Sequence, residues 1–254
     1  MMEKIIYEKE YVIPVYDIGA DGRLNLHSLF NYLQDIASEH AVKLRFGKDD
    51  LMKENRFWVL SRIAADIAIW PGWEETIIVK TWPRGTDKLF AVRDFRVNYP
   101  DGRHIASASS SWLVVDRTTR RVQRPDSLLT RFNADLPVES SLGRNAGKLE
   151  PVTGEVEIGK PFRVRVSDLD INLHTNNVGY IKWISDSYDL EFRMSNVPSS
   201  IEVNYMAESK WDDELIVHMG HDKNDPHVYS HSVFRTVDNT ELCRVRIGWE
   251  NCSL

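Results

Sequence analysis

The sequence predicts an α+β protein made of two copies of one unit, each a central helix wrapped by an antiparallel sheet. Three observations lead there. An apolar stripe at helical spacing is followed by four strand-like segments. The same order of elements returns in the second half of the chain. Short stretches of the two halves also superimpose: Leu24-Asn25-Leu26-His27 matches Ile171-Asn172-Leu173-His174 at an offset of 147, Asn31-Tyr32-Leu33 meets Gly179-Tyr180-Ile181 at 148, and the run from Trp73 to Val79 meets that from Trp211 to Val217 at 138. Such a repeat is too long for a solenoid unit and reads as a duplicated domain.

Each half opens on a short strand, at residues 11–16 and 162–167. In the first half Leu26, Leu29, Phe30, Leu33, Ile36, Ala37, His40, Ala41 and Leu44 mark one helix face, with Gly47 placed to end it. In the second half Val178, Ile181, Ile184 and Tyr188 form a less tidy stripe. Strands are expected at 57–69, 75–83, 89–99 and 104–116, with Pro100-Asp101-Gly102 as a turn. Their counterparts fall at 200–210, 214–221, 227–237 and 241–250, with a turn at Asp238-Asn239. Residues 125–160 show little periodicity and many Pro, Gly and Ser residues. They read as the connection, giving domains at 1–135 and 161–254 joined by a linker at 136–160.

Composition narrows the function classes. The 254 residues are 42% hydrophobic and 28% charged, ordinary for a globular protein. No apolar run approaches the ~20 residues that span a bilayer. The first residues, Met-Met-Glu-Lys-Ile-Ile, lack the apolar core of a signal peptide, so a cytoplasmic protein is expected. Cys243 and Cys252 form no C-x-x-C pair, which suits a reducing compartment. A formal net charge of −6 argues against general nucleic-acid affinity.

The most informative run is Ser167-Asp168-Leu169-Asp170-Ile171-Asn172-Leu173-His174-Thr175-Asn176-Asn177-Val178-Gly179-Tyr180. In an extended backbone Asp170, Asn172 and His174 would share one face, with Ile171 and Leu173 on the other. Carboxylate, amide and imidazole together can accept, orient and shuttle a proton. The helix that follows would offer free backbone N–H groups near Val178 and Gly179, an anion hole beside the trio. Downstream, Glu202, Asn204, Met206 and Glu208 alternate as if on one strand face. On sequence alone Glu208 reads as a solvated strand-end carboxylate.

At these residues the chain resembles the acyl-acyl-carrier-protein thioesterases, the family of the plant plastid enzymes and their shorter bacterial relatives. The family carries W-S-D-L-D-x-N-x-H-x-N-N-x-x-Y-I-x-W; here 167–183 read S-D-L-D-I-N-L-H-T-N-N-V-G-Y-I-K-W. The stretches at 57–62 and 112–121 also resemble it. The resemblance implies a tandem hot-dog fold, release of free fatty acid from acyl carrier protein bearing an acylated phosphopantetheine, and no metal or organic cofactor. It implies an active site of Asp170, Asn172, His174 and Glu208, and an acyl tunnel among first-domain side chains. It leaves two arrangements open, a monomer with an internal pseudo-dimer or a homodimer. The plant enzymes have Y-R-R-E-C where this chain has Tyr205-Met206-Ala207-Glu208-Ser209. An older view of the family made that cysteine the nucleophile; here the position is Ser209, so the carboxylates are expected to do the chemistry.

Other features read more plainly. His218, His221, His227 and His231 show no recognisable ligand pattern, so no metal site is expected. Asn25 and His27 echo Asn172 and His174, but Arg23 stands where an aspartate would be needed, so the first copy reads as inactive, with Asn25 capping its helix. Arg117, Arg120, Arg121 and Arg124 form one candidate dock for an acidic carrier protein, and Lys43, Arg45 and Lys48 another. Two rival functions remain: hydrolysis of acyl-coenzyme A at the same site, and a non-catalytic acyl-binding module.

Overall fold

The computed structural model describes residues 5–125, 139–222 and 225–252. In chain order it contains β1 (Tyr7–Val12), α1 (Leu26–Lys43), α2 (Lys48–Lys53), β2 (Arg56–Ile67), β3 (Thr76–Asp87), β4 (Phe90–Asn98), β5 (His104–Asp116) and β6 (Val122–Gln123). The second half holds β7 (Val156–Ile158), β8 (Phe162–Arg163), α3 (Asn177–Ser185), α4 (Leu190–Ser195), β9 (Asn196–Tyr205), β10 (Glu214–His221), β11 (Val228–Arg235) and β12 (Thr240–Asn251). The strands form one antiparallel sheet in the order β1-β3-β4-β5-β2-β9-β12-β11-β10-β7, with β6 beside β5 and β8 beside β10. The eight long strands overlap the segments expected from alternation. The opening strands differ. β1 lies upstream of 11–16, and β8 gives way at once to a single helical turn over Val166–Asp168.

α1 forms because its apolar residues recur every three or four positions, and it buries that face, from Leu26 through Ile36 to His40, against the sheet. It stops at Lys43, and Gly47 caps the next helix instead of ending this one. α4 escaped the periodicity, being a single short turn started by Asp189, whose side chain accepts the Phe192 N–H at 2.7 Å. Inward-facing residues of both halves, among them Leu33, Ile63, Ile181, Val203 and Val245, join in one continuous core. No helix among the described residues is long and apolar enough to cross a membrane.

The halves meet edge to edge where β2 pairs with β9. Ala64 pairs with Glu202, its own counterpart at the offset of 138. The local two-fold relation of the halves therefore passes through that pair, as it would between two subunits of a symmetric dimer. The connection is not slack. Across the outer face of the sheet, Ser141 N–H donates to Asp94 Oδ2 at 2.8 Å, Arg144 pairs with Asp66 at 2.9 Å, and Leu149 N–H donates to Asn204 Oδ1 at 2.9 Å. Gly147 N–H donates to Glu202 there as well. The connection then becomes a strand, β7, on β10. Residues 136–138, at the start of the expected linker, lie outside the described residues.

Under α4 an aromatic knot fills the second half. Tyr188 lies within 5.5 Å, ring to ring, of Phe192, Tyr229, His231 and Trp249. His231 Nδ1 faces the Val245 carbonyl at 3.3 Å, which can only accept, so Nδ1 carries the proton and Nε2 accepts from Tyr188 at 2.8 Å. Burial pushes this imidazole down to about 4. Its native value lies below that of the unfolded chain, so the unfolded chain binds the extra proton. The stability it contributes is complete above about pH 6.5 and declines as pH falls through 6.5 toward 4, by about 3 kcal/mol. Denaturant midpoints at pH 7 and 4.5 should differ more for the wild type than for His231→Gln. Equal differences would remove His231 as the cause.

Candidate active site

The polar trio does not lie on a strand. Asp170 to His174 form a tight turn closed by Asp170 N–H to the His174 carbonyl at 2.7 Å and Leu173 N–H to the Asp170 carbonyl at 3.0 Å. Leu173 takes a left-handed conformation, φ 64°. The pleat expected from the alternation is replaced by local side-chain bonding. Asp170 Oδ1 accepts Asn172 N–H at 2.7 Å and His174 N–H at 3.3 Å, and Oδ2 accepts Asn172 Nδ2 at 3.1 Å. The polar groups still converge, because the turn folds around one carboxylate.

Glu208 is also off the strand. β9 ends at Tyr205, and the chain then turns, so Glu208 leaves the face that Glu202 and Asn204 present to the linker. Its Oε2 comes to 3.4 Å from His174 Nδ1, with side chains 49% and 28% exposed, respectively. Thr175 N–H donates to the Ser209 carbonyl at 2.9 Å, and His174 forms a bridge with Lys210. These backbone bonds bring Glu208 to the turn of Asp170 and His174.

Ser209 is fully buried and its Oγ bonds to Thr175 Oγ1 at 2.7 Å and Tyr180 Oη at 2.8 Å. It is a structural hydroxyl with no open path to a substrate. Cys243 is equally buried, and burial raises its thiol well above the ordinary range. The two amides expected to hold an oxyanion are engaged at the helix start, Val178 N–H on Asn176 Oδ1 at 3.1 Å and Gly179 N–H on the Asn176 carbonyl at 2.8 Å. The amide of Asn177, first in α3, has no acceptor among the described residues. Arg117, Arg120 and Arg121 lie exposed about the β5–β6 turn with Arg124 just beyond it, and Arg120 sits 5.5 Å over the Phe57 ring. No three metal-binding side chains come together among the described residues.

An apolar cavity adjoins the start of α3. Asn177, Val178 and Tyr205 of the second half line it together with Phe30, Leu33, Gln34, Leu60, Ile63, Phe95 and Trp112 of the first. Sequence spacing could not single out these first-half residues, because α1 and three strands must fold before they meet.

The first half repeats the turn backbone. Gly19 N–H bonds the Arg23 carbonyl, Gly22 N–H bonds the Gly19 carbonyl, and Leu24 N–H bonds the Pro71 carbonyl, as their counterparts do around Asp170. The true offset at the turn is therefore 151, not 147. Gly19, Asp21 and Arg23 stand for Asp170, Asn172 and His174, and Trp70 stands for Glu208. Asn25 corresponds to the helix cap Asn176, but its own side chain makes no capping bond. The echo of Asn25 and His27 is thus a coincidence of composition.

Comparison with known proteins settles the family. Residues 4–129 match the acyl-ACP thioesterase N-terminal domain and residues 153–251 match the acyl-ACP thioesterase C-terminal domain. The chain belongs to the acyl-ACP thioesterase family. A palmitoyl-acyl carrier protein thioesterase of Gossypium hirsutum, chloroplastic, is 28% identical over 98% of this chain and 65% of its own length. The chain thus spans a little under two thirds of that relative. The crystal structure of an acyl-ACP thioesterase from Bacteroides thetaiotaomicron shares 27% identity with a TM-score of 0.82, covering 96% of this chain and 98% of that one. The 12:0-ACP thioesterase of Umbellularia californica, 22% identical, covers 99% of this chain and 100% of its own with a TM-score of 0.82, a likeness of fold. The architecture is accordingly the α+β tandem hot-dog of this family.

Within this family member Ser209 is part of the packing that carries Glu208. Ser209→Ala would leave the buried Thr175 and Tyr180 hydroxyls short of a partner. It should cost about 1–3 kcal/mol in denaturant unfolding. An unchanged midpoint would show that the three hydroxyls are not coupled.

Proposed function

We propose that this protein hydrolyses acyl-acyl-carrier-protein, releasing free fatty acid and ending chain elongation. The observation that carries this reading is the placement of Asp170, Asn172, His174 and Glu208 at the start of α3, whose first residues also line an apolar cavity. A thioester carbonyl placed at the carboxylates points its alkyl chain at this cavity, whose open space of about 20 Å³ must widen to take the chain. On this reading residues 1–135 bind the acyl chain, 161–254 carry the chemistry, and 136–160 connect them. The two free cysteines fit a reducing cytoplasm.

In the reaction, Asp170 removes a proton from water as the oxygen bonds to the carbonyl carbon; direct attack by Asp170 is the variant of this step. Asn172 and two backbone amides hold the carboxylate in place. The tetrahedral oxyanion then re-forms the carbonyl as the carbon–sulfur bond breaks, and the proton taken up by Asp170 passes by way of His174, oriented through Nδ1 by Glu208, to the departing thiolate. We reassign the oxyanion from the engaged Val178 and Gly179 amides to the Asn177 N–H and the second Asn172 Nδ2 hydrogen, beside the positive end of α3. Gly179 still keeps the helix start low, because a Cβ there would meet the Thr175 methyl at 3.2 Å.

Asp170→Asn should lower kcat by about a hundredfold or more while KM changes little. Full activity would remove Asp170 as base and nucleophile. A chain-length series offered on carrier protein and on coenzyme A separates the main rivals: preference for coenzyme A would overturn the carrier assignment, and no turnover of either would leave an acyl-binding module.

For carrier docking the mouth of the site is the better placed surface. Lys210, whose backbone bridges that of His174, is exposed and makes no ion pair among the described residues; Ile171 and Leu173 in the same turn as His174, and Trp211 next to Lys210, are exposed as well. Lys210→Glu should raise KM for acyl-carrier-protein several-fold, whereas reversing Arg120 and Arg121 should not. The opposite result would return docking to the arginine run.

A further inference from the structure

Tyr205 closes β9 three residues before Glu208, and its side chain crosses to the start of α3. There Oη donates to the Asn177 carbonyl at 3.1 Å. The ring meets Tyr180 edge-on, 5.9 Å away between centroids. Burial pushes the phenol well above its ordinary range, so the hydroxyl keeps its proton and serves as a donor.

The bond pins one side of Asn177. On the other side the Asn176 carbonyl accepts Gly179 N–H at 2.8 Å. Each peptide flanking Asn177 is thus held by its oxygen. A peptide unit is rigid and planar, so both dihedral angles at Asn177 are fixed, and with them the direction of its N–H. That N–H has no acceptor among the described residues and lies in the first turn of α3, where no carbonyl of the helix can reach it.

The first half serves as a control. By the two-fold relation Ile67 stands for Tyr205, while Leu24, Leu29 and Pro71 stand for Thr175, Tyr180 and Ser209. The first half builds the same turn and the same helix start with none of these hydroxyls. A helix start in this fold therefore does not require the Tyr205 bond. The bond belongs to the half that carries Asp170, Asn172, His174 and Glu208.

We infer that the Tyr205 hydroxyl is a positioning group that aims the Asn177 N–H at the oxygen of a thioester carbonyl as its carbon becomes tetrahedral. The inference rests on the proposed reaction, with Asn177 as an oxyanion donor. A donor held in advance where charge develops stabilises the transition state more than the planar ground state. Loss of the bond frees the N–H to turn away, which costs rate more than substrate binding.

Tyr205→Phe removes one oxygen and keeps the ring. In the full chain it should lower kcat for acyl-carrier-protein at least about tenfold and leave KM within about twofold. The ratio of two affinities separates this role from packing. A difluoroketone analogue of acyl-pantetheine, with CF2 in place of sulfur, takes up water to form a tetrahedral centre; the matched amide stays planar. The variant should bind the ketone at least about tenfold more weakly and the amide within about twofold of wild type. A role in packing alone would weaken both alike or neither, and either result would overturn the inference. If the Phe variant does not fold, Tyr205→4-fluorophenylalanine fills the place of the hydroxyl without a proton to donate and gives the same comparison. Selective loss of the ketone, with no turnover of any thioester by the wild type, would keep the role of Tyr205 and overturn the hydrolase reading. Turnover by the wild type with unchanged ketone binding in the variant would do the reverse.

Discussion

Everything at the site depends on the pairing of β2 with β9. Because the two edges run antiparallel about Ala64 and Glu202, each half turns the start of its helix toward the inner sheet face of the other. The Asp170 turn belongs to the second half, while most of the residues lining the cavity beside it belong to the first. The ladder that joins the sheets also sets the distance between the chemistry and the space for the alkyl chain. A one-residue slip would send Val203 and Ile201 outward and turn Glu202 into the core, so the register is held by burial as well as by hydrogen bonds.

The two-fold relation gives two places where a turn of one half faces the sheet of the other, and the two differ in their residues. Around the first-half turn, glycine, aspartate, arginine and tryptophan replace Asp170, Asn172, His174 and Glu208. The space facing that turn lies in the second half, where an aromatic cluster packs. Met219 pairs with His231 as Thr81 pairs with Phe95, so His231 stands where Phe95 lines the open cavity. The knot of Tyr188, Trp249 and His231 is satisfied internally, hydrogen bond by hydrogen bond.

Much of this was legible in the chain, and the failures have physical causes. α1 and the eight long strands were readable because each buries one face, which imposes a period. The 138 offset held because Trp73 and Trp211 precede the same kind of strand. The offset of the turn misled because Asn25 and His27 imitate the motif while hydrogen bonds, invisible in a string, decide the superposition. The alternation Asp-x-Asn-x-His imitated a strand for a similar reason: short polar side chains that bond their own backbone compete with the sheet.

The turn itself shows how far its backbone is specified. At the matching position the first half has Gly22, φ 77°, which adopts the left-handed region freely. The active half has Leu173 at φ 64°, a conformation that costs a side chain with a Cβ about 1–2 kcal/mol. The leucine side chain recovers little by burial, since it is 72% exposed. What offsets the strain is the set of three hydrogen bonds to the Asp170 carboxylate, of which the first-half turn has only one counterpart, Arg23 N–H on Asp21 Oδ1. Asp170 is therefore the keystone of its own turn as well as the reactive group we propose. In the first half the turn carboxylate is Asp21, which accepts only the Arg23 N–H, at 3.2 Å, and the left-handed position is a glycine that takes the conformation without cost.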